Sequence, residues 1–289
     1  MRLSLSERIF HYINYALLSI MGLIALFPVF YVLVVSVTPY LELVRNGGFV
    51  VFPRQITFQA YGELLQDPGM MRAFANSIYI TVVSTAIGVL LSLMLAYGLT
   101  NPSMPGRNVI LFLLLLTMLF HGGLIPQYML VKSLGLLNTY WVLILSGTVS
   151  VFNVLVMKSF IENLPHNLEE AALIDGTTEI GYLFRIVIPL SAPIIATIGL
   201  FYAVTHWNAF FEAILYVSDT DKHPLQTVLR AMLNTPDPSE LQGSTIETVI
   251  PTEASKMAAV ILSIIPVLVL YPFLQQYFTK GVLLGSIKG

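Results

Sequence analysis

Side chains that can bind a polar solute cluster in one long apolar stretch of the chain. They are Tyr202, Thr205, His206, Trp207, Asn208 and Glu212. In a helix, Tyr202 and His206 would share a face because they are four residues apart, and the same spacing relates Asn208 to Glu212. Aromatic rings suit the CH face of a sugar, and Asn, His and Glu can hydrogen-bond hydroxyl groups. The segment either lines a saccharide path or packs helices together, with aromatic rings at a membrane interface.

A second polar group lies in the segment 170–189, which reads EAALIDGTTEIGYLFRIVIP. It carries Glu170, Asp175, Glu179 and Arg185, although long apolar runs flank it on both sides. Charged side chains are costly inside a bilayer. We therefore expect this segment to lie in water and to contact a partner there.

The local signals over about 163–190 predict a helix–turn–helix knob. Asn167 is a candidate N-cap, and Glu170 stands in a capping-box position three residues later. Gly176 can adopt the left-handed backbone that ends a first helix. A second short helix is expected over 178–187, and Pro189 is expected to end it because proline cannot continue the hydrogen-bond ladder.

The composition predicts an integral membrane protein. Of the 289 residues, 56% are hydrophobic and 10% are charged, whereas soluble domains contain about 25% charged residues. The mean hydropathy is +0.80. The absence of cysteine excludes disulfides and thiolate metal sites, and the net charge of −2 argues against nucleic acid as a partner. The first apolar run is too long for a signal peptide and is expected to remain as a helix.

Six apolar runs are long enough to span a membrane, which takes roughly 20 residues each. They fall at about 12–37, 73–98, 108–130, 139–161, 191–216 and 257–279. The predicted fold class is therefore all-α, a polytopic membrane protein with six transmembrane helices. One transmembrane domain over 1–289 is expected, with both termini on one side. The Lys and Arg residues divide equally between the two sides, so charge does not decide the orientation.

Motifs for energy conversion and hydrolysis are missing from the chain. No G-x-x-x-x-G-K-[ST], H-E-x-x-H or G-x-S-x-G occurs. We therefore expect no catalytic residue, no metal ligand and no P-loop in this chain. Energy must come from another subunit or from an ion gradient.

The knob resembles the EAA loop of ABC importer permeases. The matching residues are Glu170, Ala171, Ala172, Asp175, Gly176, Ile186 and Pro189. Thr177 and Ile188 depart mildly from the family pattern, in which Ala and Leu are commoner. The C-terminal sequence YPFLQQYFTKGVLLGSIKG, residues 271–289, resembles the tail of the carbohydrate-importer branch. The resemblance spans nearly the whole chain and extends to permeases for lipo-oligosaccharides and for alginate-like uronates.

The resemblance implies a non-enzymatic importer subunit whose knob contacts an ATPase. The implied coupling residues are Glu170 and Asp175 as contacts, Ala171 and Ala172 as small residues that allow close approach, and Gly176 as the turn. ATP and Mg²⁺ would be bound by two partner ATPase subunits, so the chain itself would need no cofactor. The other implied partners are a second, homologous permease, an extracytoplasmic solute-binding protein, an oligosaccharide and membrane lipid. The implied location is a bacterial cytoplasmic membrane, with the termini and the knob cytoplasmic. Whether the sugar is neutral or acidic stays open.

Two other functions compete with this interpretation. An ion-coupled secondary transporter would need a buried acid near the midplane, and Glu212 is the nearest candidate. The chain also lacks a visible internal repeat. A polytopic membrane enzyme would need a paired acid and base or a metal constellation within the spans, and the sequence offers neither.

Overall fold

The computed structural model describes residues 5–165, 167–174, 176–235 and 252–285. All regular structure in this part of the chain is helical, which confirms the all-α class. In chain order the helices are α1 (Leu5–Ser36), α2 (Tyr40–Arg45), α3 (Gln59–Gln66), α4 (Pro68–Thr100), α5 (Arg107–Leu119), α6 (Leu124–Ser133), α7 (Tyr140–Leu145), α8 (Val151–Glu162), α9 (Asn167–Ile174), α10 (Glu179–Leu190), α11 (Ala192–Trp207), α12 (Phe211–Tyr216), α13 (Leu225–Asn234) and α14 (Glu253–Gly285).

Among the residues that the structure describes, three helical segments are long and apolar enough to cross a membrane. They are Ile9–Ser36, Pro68–Thr100 and Glu253–Leu270. Two bent helix pairs bring the number to five if each pair is one span: α5 with α6, bent by 117°, and α10 with α11, bent by 77°. These segments agree with a polytopic membrane protein, while the count of six spans stays a prediction.

Three of the predicted spans are not single helices, and this corrects the sequence-based picture. The run 108–130 breaks between Leu119 and Leu124, where Gly123 has φ +85°. The run 139–161 breaks between α7 and α8, where Gly147 has φ +71°. The run 191–216 breaks between α11 and α12. Membrane bundles tolerate such breaks where the freed backbone is buried or lines a cavity.

The described chain forms two compact units. One comprises Met1–Met71 and Leu229–Ile265, and the other comprises Arg72–Val228 and Pro266–Gly289. This division does not decide how many parts fold independently, so the prediction of one domain stays a prediction.

Within the first unit, α1 presents most of its apolar side chains outward; Leu23 and Ile24, for example, are 68% and 67% exposed. A helix of this composition requires lipid or a partner subunit around it. At its C-terminal end it is anchored by the Ser36 hydroxyl, which lies 2.7 Å from the Tyr61 hydroxyl. The ammonium group of buried Lys256 is satisfied by Glu253 at 2.7 Å and by the Thr235 carbonyl at 2.8 Å.

The second unit is built around α4. One core cluster joins α4 to α8 and α11 through Leu93, Leu99, Val154, Met157, Ile161, Ile198 and Tyr202. A second cluster joins α4 to α6, α7 and α12 through Ile80, Val131, Val142, Leu143, Ile144, Ala213 and Tyr216. Small residues on α4 allow other segments to approach closely. At Gly88 an added Cβ would lie 2.7 Å from the Thr148 carbonyl oxygen.

Candidate functional site

The knob has the predicted helix–turn–helix form. α9 begins at Asn167 itself, so the predicted N-cap is the first residue of the helix. Gly176 follows the helix with φ +72°. The Thr177 N–H donates to the Ala172 carbonyl at 2.9 Å, which is the long-range bond of a Schellman motif. The left-handed backbone at 176 therefore favours glycine.

The second helix of the knob is longer than predicted. Thr178 caps its start, because its Oγ1 accepts a hydrogen bond from the Gly181 N–H at 3.2 Å. A π-helical turn, Leu183–Val187, follows, and the helix ends at Leu190. The prediction that Pro189 ends the helix is therefore wrong. Proline is tolerated there because the π-turn has already interrupted the regular hydrogen-bond ladder.

The predicted ATPase-coupling residues take up different positions in the knob. The Glu170 side chain is exposed, and Ala172 is buried at 5% exposure. Ala171 lies within α9, and Asp175 lies outside the described residues. Glu170 is thus available to a partner, while Ala172 packs inside the chain.

Large apolar side chains on the knob face outward, and the sequence analysis did not single them out. Ile174, Ile180 and Phe184 are 86%, 72% and 62% exposed. Exposed apolar side chains on a segment that is expected to lie in water are typical of a protein-binding surface.

The knob borders a cleft of about 560 Å³. The turn 101–105, the end of α8 and residues Ala172, Thr177 and Glu179 line it. Glu162, which lines this cleft, forms ion pairs with Arg107 at 3.0 Å and with Lys158 at 2.5 Å. Arg107 also donates from Nε to the Leu99 carbonyl at 2.8 Å. The turn 101–105 is therefore attached to α8, the helix that leads into the knob.

The second candidate site is a cavity of about 80 Å³ at the end of α11. Its lining comprises Ile80, Leu143, Ser146, Gly147, Thr205, His206, Ala209, Glu212, Ala213 and Pro224. Two of the predicted path residues, His206 and Glu212, therefore meet at one cavity. His206 is 4% exposed, and its Nε2 has no hydrogen-bond partner among the described residues. Glu212 is half-buried in the first turn of α12.

The other predicted path residues have partners within the chain. The Tyr202 hydroxyl lies 2.6 Å from the Ser92 Oγ and accepts a hydrogen bond from the Ser150 N–H at 2.9 Å. Trp207 is buried and makes an edge-to-face contact with Phe74 at 5.8 Å between ring centroids. Asn208 caps α11, because its Nδ2 donates to the Val204 carbonyl at 2.8 Å.

The prediction that residues four apart share a helix face is correct for one of the two pairs. Tyr202 and His206 share a helix face, with their rings stacked at 6.4 Å. Asn208 and Glu212 do not share a helix, because α11 ends at Trp207 and α12 begins at Phe211. Ser146, Gly147 and Ala209 also line the cavity but were not predicted. Gly147 inside an apolar run was the available signal for a break.

The segment 217–225 is fixed to the rest of its unit by amide side chains. Asn138, at φ +59°, accepts from the Asp219 N–H through Oδ1 at 2.9 Å, and its carbonyl accepts from the Lys222 Nζ at 3.0 Å. Asn76 donates to the carbonyls of Asp221 and His223 at 2.8 and 3.1 Å. The hydrogen bond from Lys222 lowers the pKa of the Asp219 carboxyl.

The chain is similar to known bacterial transport proteins over most of its length. The family model described as "Binding-protein-dependent transport system inner membrane component" matches residues 88–284. Protein LplC of Bacillus subtilis is 44% identical over 98% of this chain and 96% of its own length. The polygalacturonan/rhamnogalacturonan transport system permease protein YtcP of the same organism is 41% identical over 99% of this chain and 100% of its own length.

A solved structure is also similar over almost the whole chain. It belongs to a bacterial ABC transporter involved in the import of the acidic polysaccharide alginate. Its TM-score is 0.87, with 32% identity, and the match covers 96% of this chain and 99% of the solved chain. The knob and the broken helices therefore occur in a fold already seen in a transporter.

Proposed function

Because the chain belongs to the family of inner membrane components of binding-protein-dependent transport systems, we propose that it forms, with a second permease, the membrane pathway for oligosaccharide import. It is a transport subunit of the ABC importer class. ATP hydrolysis by separate subunits drives the import, and a binding protein outside the membrane delivers the sugar. Relatives that carry polygalacturonan or arabino-oligosaccharides support this substrate class.

The knob is the observation that carries the proposal. It combines an exposed acid, Glu170, with the outward-facing Ile174, Ile180 and Phe184. Exposed apolar side chains together with an exposed charged side chain on one segment suit an interface that has an apolar core and a polar rim. We assign this surface to an ATPase subunit, with Glu170 and Asp175 as polar contacts and Gly176 as the fixed turn.

The knob acts as a lever in this mechanism and carries out no chemistry. ATP and Mg²⁺ are bound by the two partner ATPase subunits, since this chain has no P-loop sequence. Closure of those subunits displaces the knob, and α10 transmits the movement toward α11 across the 77° bend. The helices then rock between inward-facing and outward-facing arrangements.

The chain lies in the bacterial cytoplasmic membrane, with both termini and the knob on the cytoplasmic side in our proposal. The exposed apolar face of α1 suits lipid or the second permease. Among the candidate path residues, His206 and Glu212 keep the role of contacting substrate, because they line a common cavity. Tyr202, Trp207 and Asn208 serve helix packing and capping.

The test is uptake of labelled oligosaccharide into proteoliposomes that contain the two permeases and the ATPase subunits. Uptake should require ATP inside the vesicles and the loaded binding protein outside. Ionophores that collapse proton and sodium gradients should leave it unchanged. Uptake that continues without ATP and stops with ionophores would instead support an ion-coupled transporter.

A further inference from the structure

We propose that the cavity beside His206 is a subsite for one neutral hydroxyl-bearing substituent of the sugar, and that it disfavours a carboxylate at the same place. This inference rests on the proposed function, because it concerns what the path recognises. It predicts a preference for hexose units with a hydroxymethyl group over uronate units, which carry a carboxylate at that carbon.

Two interrupted helices meet at this cavity. Ser146 and Gly147 come from the break between α7 and α8, and Ala209 comes from the break between α11 and α12. Non-helical backbone at membrane depth is tolerated where it lines a cavity, and discontinuous helices commonly form solute sites in transporters. The position of the cavity therefore indicates a binding function.

The His206 side chain supplies the polar group that lacks a partner. It is 4% exposed, and its Nε2 makes no hydrogen bond within the described chain. Buried polar atoms in native proteins nearly always have a partner. A neutral imidazole nitrogen is a donor in one tautomer and an acceptor in the other, and a hydroxyl group can serve either one. A sugar hydroxyl thus matches His206 in both tautomers.

Glu212 sets the preference for a neutral group. Its side chain lines the same cavity and is half-buried, and no Lys or Arg occurs in the lining described above. A carboxylate accepts hydrogen bonds only, so a hydroxyl can donate to it. A uronate carboxylate would instead meet a like charge in a partly desolvated place.

The cavity is large enough for one substituent of a sugar but too small for a whole sugar ring, and part of its lining is apolar. The volume of about 80 Å³ is far below the roughly 300–1,000 Å³ of pockets that enclose drug-sized ligands. Ile80, Leu143 and Pro224 supply apolar parts of the same lining. A CH₂OH group has one apolar and one polar part, so it matches both kinds of lining.

The test is ¹⁵N solid-state NMR of histidine-labelled permease in the full reconstituted importer. Methyl galactoside and the methyl glycoside of galacturonic acid, with its carboxylate free, are the probes, because they differ only in the group on carbon 6. We expect methyl galactoside to shift the His206 signal, and the galacturonate glycoside to need about tenfold higher concentration for the same shift, as one like-charge contact implies. Glu212→Gln keeps the shape of the side chain and removes its charge, so in this variant both probes should produce the same shift at similar concentrations.

The controls make each result decisive. His206→Gln assigns the signal, and His11→Gln should leave the ligand response intact because His11 is exposed on α1. The titration uses the wild-type chain, so it does not depend on whether a variant folds. Equal or stronger binding of the galacturonate would overturn the proposed preference. A His206 signal that responds to neither probe would show that the cavity is not a subsite.

Uptake measured in the same vesicles separates the two proposals. ATP-driven import of an oligosaccharide without any His206 response refutes only the subsite. An assembled complex that imports no oligosaccharide refutes the proposed function, and the subsite falls with it.

Discussion

The Tyr202 hydroxyl is held 2.6 Å from the Ser92 Oγ in the buried centre of the second unit. It also accepts a hydrogen bond from the Ser150 N–H at 2.9 Å, beside the break that precedes α8. One hydroxyl group therefore connects α11, α4 and the start of α8. This arrangement favours a packing role for Tyr202 over contact with sugar.

Tyr202→Phe should destabilise the protein by about 1–3 kcal/mol, because two partly or fully buried groups lose their partner. Tyr79→Phe is the matched control, since Tyr79 is 47% exposed. Thermal unfolding of the purified complex measures both. Unchanged stability of Tyr202→Phe together with reduced uptake would mean that the hydroxyl serves the sugar path instead.

Gly88→Ala should destabilise the same region. The new Cβ would lie 2.7 Å from the Thr148 carbonyl oxygen and 3.3 Å from the Tyr202 ring. Moving the backbone or the packed ring costs free energy. We therefore expect the free energy of unfolding to fall by about 1–3 kcal/mol, as for other overpacked cores.

Gly98→Ala provides the control for this change. Gly98 lies on the same helix, and a Cβ added there meets no atom within 4 Å in the part of the chain that the structure describes. Thermal unfolding should separate the two variants clearly. Equal melting temperatures would show that α4 does not approach Thr148 as closely as described.

Substitution of Gly176 tests the turn of the knob. The φ of +72° costs a β-branched residue about 1–2 kcal/mol or more, whereas asparagine adopts it more readily. No atom of the described residues lies within 4 Å of an added Cβ, so the effect should come from the backbone. Gly176→Val should weaken binding of ATPase subunits about tenfold, as this energy implies, and Gly176→Asn much less.

Native mass spectrometry of the assembled complex can measure this binding. Equal assembly by the valine and asparagine variants would contradict a left-handed turn at Gly176.

The knob was predictable from sequence because its signals are local. Glu170 lies within a few residues of Gly176, and the helix, the turn and the second helix follow from capping and glycine conformation. The end of α10 was missed because the π-turn carries the helix past Pro189. No proline rule anticipates such a turn.

The broken helices were not predictable from hydropathy. An apolar run has the same mean hydropathy whether it forms one helix or two, and the break after Trp207 contains no glycine or proline. The cavity was missed for a different reason. It joins Ser146 to Ala209, and such a contact depends on how distant helices pack.

The central claim is that the knob couples transport to an ATPase. The most direct measurement is ATP hydrolysis by the reconstituted importer, with and without sugar-loaded binding protein, for wild type and Glu170→Ala. Glu63→Ala serves as the control, since Glu63 is an acid of α3 outside the knob. We predict that loaded binding protein stimulates wild type and Glu63→Ala, and that Glu170→Ala loses assembly or stimulation. A Glu170→Ala complex that assembles and responds as wild type does would contradict the assignment of Glu170 to the coupling contact.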